Sequence, residues 1–203
     1  MKNNNCIIKI AFCGLLILPL LPGLQVNVVA QVTTYQYRKV ADDKIDSLFY
    51  RETTYWSQVA KKAIDNKKLT FWALLEKIGG YDLPNSSNFL FINTYPDIDQ
   101  AGDIWNASAV FPNIPAERIE TGSISTTTSW FFLHDENWAQ AATAIPDKDF
   151  NYVKMIYHNT EYPDSLIALE KKYWLPFIQS AMNKKQTKQS AWGNANVLGP
   201  SGE

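Results

Sequence analysis

The sequence predicts an α+β protein built from two related units, the first complete and the second partial. Three observations predict it. Asp46, Ser47, Leu48, Glu52, Tyr55, Trp56, Ala63 and Lys67 recur 118 residues later as Asp164, Ser165, Leu166, Glu170, Tyr173, Trp174, Ala181 and Lys185. Eight identities in a 22-residue window exceed the roughly one or two that chance supplies, so an internal repeat governs the reading. Both copies have helical apolar spacing and lead into a strand-like stretch around a Trp, Trp72 in one and Trp192 in the other. Strand and helix signals in the first copy run β-α-β-β-α-β, whereas the second supplies only β-α-β.

The elements follow in order. Residues 32–40 are rich in Tyr, Thr and Val, which suits a strand. Asp42 or Asp43 can cap the helix that follows, over 43–66. Its stripe is Ile45, Leu48, Phe49, Glu52, Tyr55, Trp56, Val59, Ala60, Ala63 and Ile64, with Arg51, Lys61, Lys62 and Asp65 opposite. Strands are expected at 69–78 and 89–95, separated by the breakers Gly79-Gly80, Pro84 and Asn85-Ser86-Ser87. A short helix at 97–106 and an insertion at 111–121, with a helical turn at 116–118, precede a strand at 126–134. This is the split βαβ order of a ferredoxin-like unit. In the second unit a strand is expected at 150–157, the repeat helix at 162–185 and a strand at 191–198. Pro176 removes one helical hydrogen bond and predicts a kink or restart. The organisation is a leader at 1–30, a first unit at 31–135, a linker at 136–149 and a partial second unit at 150–203.

The leader reads as a secretory signal. Lys2 and Lys9 precede an apolar run, and Val28-Val29-Ala30 places small residues before a cleavage site ahead of Gln31. Pro19, Pro22 and Gly23 keep the run short of the ~20 residues a membrane span needs. Secretion or periplasmic export is therefore expected, with no membrane span after cleavage. Cys6 and Cys13 leave with the signal, so the mature chain has no thiol chemistry. Lys+Arg falls from 19 to 17 against 20 acidic residues, and this mildly acidic balance speaks against nucleic acid as partner.

The candidate chemistry is sparse. The two histidines are His134 and His158. His134 is followed by Asp135 and Glu136, a grouping that could serve a general base. No His or Cys spacing suits a metal, and no cofactor motif is present, so neither is expected. Asp97, Asp99 and Asp103 miss the calcium-loop spacing. Tyr55, Trp56 and Trp72, with their counterparts Tyr173, Trp174 and Trp192, could line a cleft for a small apolar ligand. The preferred alternative is that they fill helix–sheet interfaces, with Trp56 and Trp174 equivalent and buried. Exposed aromatics such as Tyr81, Tyr95, Trp105 and Trp138 leave a sugar-stacking surface open.

A strand, a long helix carrying Tyr-Trp and strands around a Trp, over 35–95 and again over 152–199, resemble the dimeric α+β barrel superfamily, which includes antibiotic-biosynthesis-monooxygenase-like domains. In particular the chain resembles uncharacterised secreted bacterial proteins with two such units in tandem. The superfamily hosts cofactor-free oxygenases, haem-degrading enzymes, isomerases and proteins without known activity, so the resemblance implies a fold rather than a reaction. Three functional readings follow. The leading one is a small-ligand-binding or non-catalytic module. The second is a cofactor-independent oxygenase or isomerase using His134. The third is a glycan-binding surface. The second unit stops where the first continues and leaves its strands unpaired, so it is expected either to dock on the first unit and cover its sheet face, or to mark a truncated product of a longer gene that forms homodimers or self-associates.

Overall fold

In the computed structural model, residues 31–78, 86–96 and 104–199 are described. The expected leader, the breakers at 79–85, Tyr81, most of the short helix at 97–106 and the end of the partial second unit at 200–203 lie outside them. The architecture is α+β, with an antiparallel sheet whose strand order is β2-β3-β1-β4-β5. Among the described residues, no helix is long and apolar enough to cross a membrane.

The first unit begins with β1 (Val32–Val40), followed by a 3-10 turn (Asp42–Lys44) and a long helix. Asp42 and Asp43 sit in the first turn, where the helix dipole favours acids, but neither makes a side-chain capping bond. The helix comprises α1 (Ile45–Arg51), a π-helical turn (Glu52–Trp56) and α2 (Ser57–Asp65). It ends in a left-handed Lys67, with Lys68 N–H donating to Ala63 and Lys67 N–H to Ile64, the double bond of a Schellman cap.

The chain then enters β2 (Phe71–Glu76) and β3 (Phe89–Tyr95). β3 is antiparallel to both β1 and β2. Strand side chains alternate between faces, so Trp72 and Leu74 of β2, with Phe89, Phe91 and Tyr95 of β3, share the core with Leu48, Ala60 and Ala63 of the helix. Asn88 closes the end of β1. Its side chain donates to Val40 C=O and accepts from Val40 N–H, both at 2.8 Å.

A stretch of turns leads from Ile104 through α3 (Ala116–Ile119) and a 3-10 turn (Gly122–Ile124) to β4 (Ser125–Gln140). The expected helical turn at 116–118 is present as α3. β4 pairs antiparallel with β1, with His134 opposite Val32.

The second unit takes in residues 135–196. The segment expected as a linker from 136 starts as strand, because β4 runs on to Gln140 and is the sheet neighbour of β5 (Ala191–Gly199). Asn137 Nδ2 donates to Asn194 Oδ1 at 3.0 Å, and Trp138 lies against Gly193. A short α4 (Pro146–Asp149) follows. The strand expected at 150–157 does not form; those residues have no regular structure, and the tail of β4 takes the place beside β5.

The repeat helix comprises α5 (Pro163–Leu169), a π-helical turn (Glu170–Trp174) and α6 (Leu175–Asn183). Pro176 falls in the first turn of α6, where a missing N–H is tolerated, so the outcome is a restart. Gln58 stands at the matching position of the first helix, so the π turn there forms without a proline. A left-handed Lys185 ends this helix as Lys67 ends the other. The local core is small: Ala139, Ile178 and Met182, flanked by Ala141, Leu175 and Trp192.

Candidate functional site

Two places carry chemistry, and both are built on the π turns. In the first unit the turn directs Glu52 inward, where it is 3% exposed. Thr121 Oγ1 donates to Glu52 Oε1 at 2.8 Å. The same Oγ1 accepts from Arg38 Nη1 at 3.2 Å, so Thr121 links the guanidinium to the carboxyl. Arg38 also donates from Nη1 to Ser125 Oγ and from Nε and Nη2 to Gln36 Oε1, and its guanidinium lies 4.5 Å from the Phe91 ring centre.

Burial pushes the Glu52 carboxyl up to about 7, against the smaller opposing effects of the Thr121 hydrogen bond and the Arg38 charge. Burial also pulls Arg38 below its usual value. The centre can therefore hold or release a proton near neutrality. Its one signal in the sequence is a repeated Glu inside an otherwise apolar or aromatic helix stripe, which matches no catalytic motif.

The second place is the outer face of the repeat helix in the second unit. Leu169, Glu170, Tyr173, Trp174 and Phe177 line one depression there. Their counterparts, 118 residues earlier, are Arg51, Glu52, Tyr55, Trp56 and Val59. On the first helix these are covered by the stretch from Trp105 to Thr121. Trp56 Nε1–H donates to Ile119 C=O at 3.0 Å, and the Tyr55 ring meets Phe111 edge-on at 5.3 Å. Trp56 also lies 6.3 Å from Trp105, Arg51 donates to Glu120 C=O, and Val59 is buried.

On the second helix the same positions are open: Leu169 is 55% exposed, Tyr173 61%, Trp174 42% and Phe177 60%. Trp174 and Phe177 pack on each other at 5.2 Å, and Lys172 Nζ sits over the Tyr173 ring. Asn194 Nδ2 donates to Glu170 Oε2 at 2.5 Å.

The expected site residues are thus dispersed. Trp72 is a buried member of the first core, and Trp192 flanks the second. Tyr55 and Trp56 are half-buried beneath the covering stretch, so Trp56 faces that stretch rather than its sheet. Trp174, expected to be its buried equivalent, is instead exposed, because no such stretch lies over it among the described residues. His134 stands within β4, which runs on to Gln140 instead of ending there. Asp135 and Glu136 are exposed, and Glu136 accepts from Asn196. Of the candidate sugar-stacking aromatics, Tyr95 is buried and accepts from Trp105 Nε1, whereas Trp138 is exposed. Among the described residues, no group of His, Cys, Asp or Glu is placed to hold a metal ion. Comparison with protein-family models, with curated proteins and with solved structures finds no match to this chain.

Proposed function

We propose that this protein is a secreted, non-catalytic binding module whose working surface is the Leu169, Tyr173, Trp174 and Phe177 face. The observation that carries this reading is the contrast between the two repeat helices. The same residue pattern is covered in the first unit and open in the second. Contiguous exposed apolar side chains of this size mark interaction surfaces. The strand order β2-β3-β1-β4, with the long helix between β1 and β2, supports a ferredoxin-like reading of the first unit. The paired π turns and left-handed Lys caps support a structural repeat.

The test is an apolar reporter dye, anilinonaphthalene sulfonate, titrated into the folded protein. Binding should be saturable and should be lost in Tyr173→Ser/Phe177→Ser, with the melting transition unmoved because both side chains are exposed. Dye binding equal in the two proteins, or none in the wild type, removes the reading. Secretion is tested separately by the intact mass of exported protein, which should begin at Gln31.

A further inference from the structure

We propose that the occupant of this face is a partner polypeptide segment with the chemistry of residues 104–121 of the first unit: aromatic side chains around a free main-chain carbonyl. The proposal rests on the binding-module reading and names its ligand class. The first helix shows what such a face takes. There the cover supplies Phe111 to the Tyr, Trp105 to the Trp ring and the Ile119 carbonyl to the indole N–H.

The second helix keeps the Tyr, the Trp and the Glu, so it presents the same edge, the same N–H and the same carboxylate. Trp174 Nε1 has no acceptor among the described residues. An indole covered by a ligand needs an acceptor for its N–H. A hydrocarbon ligand offers none, whereas a polypeptide offers a carbonyl at every residue. A small molecule also needs a concave pocket around most of its surface. Here the lining comes from one helix, which gives a surface to lie across rather than a cavity to enter.

The substitutions along the face refine the partner. Arg51, which lies 3.9 Å from the Glu120 carboxylate, is replaced by Leu169, and Val59 by Phe177. The partner therefore presents an apolar residue where residue 120 carries a carboxylate. Three half-exposed aromatics and a leucine offer on the order of 400 Å², since a fully buried aromatic removes roughly 150–250 Å². With an equal area from the partner the total comes to about 800 Å². That is below the roughly 1,200 Å² at which stable specific interfaces begin, so the contact is a weak, reversible one.

The experiment uses a fluorescein-labelled synthetic peptide of residues 104–121 carrying Glu120→Leu, to match Leu169, added to the whole chain and followed by anisotropy. The first unit's own segment is covalently attached and keeps its site, so the peptide can reach only the open face. Saturable binding is expected, weakened at least tenfold by Trp174→Phe, which keeps an aromatic ring and removes the N–H. Phe177→Ser should weaken it similarly, whereas Trp130→Ala, an exposed aromatic of the first unit, should leave it unchanged. Three results overturn the proposal. Dye binding without peptide binding assigns the face to a small apolar ligand. A dimer in sedimentation velocity that Phe177→Ser dissolves assigns it to a second copy. Peptide binding indifferent to Trp174→Phe removes the carbonyl contact. Absence of both dye and peptide binding removes the binding-module reading as well.

Discussion

Glu52→Gln isolates the proton at the buried carboxyl. The fold raises this group from 4.5 to about 7, mainly by burial. Between those values the folded chain holds a proton that the unfolded chain has released. Stability therefore falls as pH rises through this window, is unaffected by the group below it, and carries the full penalty above it. At about 1.4 kcal/mol for each pH unit between the two values, the penalty is roughly 3 kcal/mol at pH 8. Gln has the same shape and its carbonyl oxygen still accepts from Thr121, but it has no charge to desolvate. A buried carboxamide N–H without a partner costs about 1–3 kcal/mol, and that cost is the same at every pH. The difference in unfolding free energy between variant and wild type should consequently shift by about 3 kcal/mol, in favour of the variant, from pH 4.5 to pH 8. Urea unfolding followed by tryptophan fluorescence across this range measures it, because every other titrating group cancels in the difference. Parallel pH curves for the two proteins would refute the burial of a protonated Glu52. A wild-type carboxyl carbon resonance titrating near 4.5 would do the same.

Three further outcomes test the packing. Asn88→Ala removes both bonds to Val40 and leaves two buried backbone groups unmatched, so the unfolding midpoint should fall by an amount equivalent to about 3 kcal/mol. Lys185→Gly relieves a left-handed backbone at an exposed position and should raise stability by up to about 1 kcal/mol in thermal melts. Trp56→Ala removes the bond to Ile119 and the contact with Trp105, and should cost about 2–3 kcal/mol. Trp174→Ala should cost under about 1 kcal/mol, so equal losses would mean that the two helices are covered alike.

The elements legible in the sequence depend on their own residues. The long helix, expected at 43–66, runs from Ile45 to Asp65, because its apolar spacing is local. β1 and β3 are legible for the same reason. What escapes depends on distant partners. Asp135, Glu136 and Asn137 read as loop because they are polar, yet Asn137 is buried and bonded to Asn194 across the strand pair. The strand propensity of 150–157 is real, but β5 takes β4 as its sheet neighbour instead, and Tyr152, Val153, Ile156 and Tyr157 stay exposed. Glu52 reads as one charge in an amphipathic stripe. Its meaning comes from Thr121 and Arg38, which lie 69 residues after it and 14 before it.

The two repeat helices act as an internal control on what sequence can determine. Both copies carry a π turn that begins at the repeated Glu, and both end at a left-handed Lys, so these features follow the local pattern. The neighbours of that Glu do not. Glu52 meets a threonine hydroxyl and is pushed toward neutrality by burial, whereas Glu170 is half-buried and accepts from a carboxamide. Likewise Trp56 donates to a carbonyl under its cover, while Trp174 lies open to solvent. Identical side chains on closely similar backbones thus differ in burial and bonding because only one copy is overlain by a stretch like 104–121 among the described residues. The cover therefore separates a buried helix face from an exposed one, and the exposed face of the second helix is where the proposed binding should be sought.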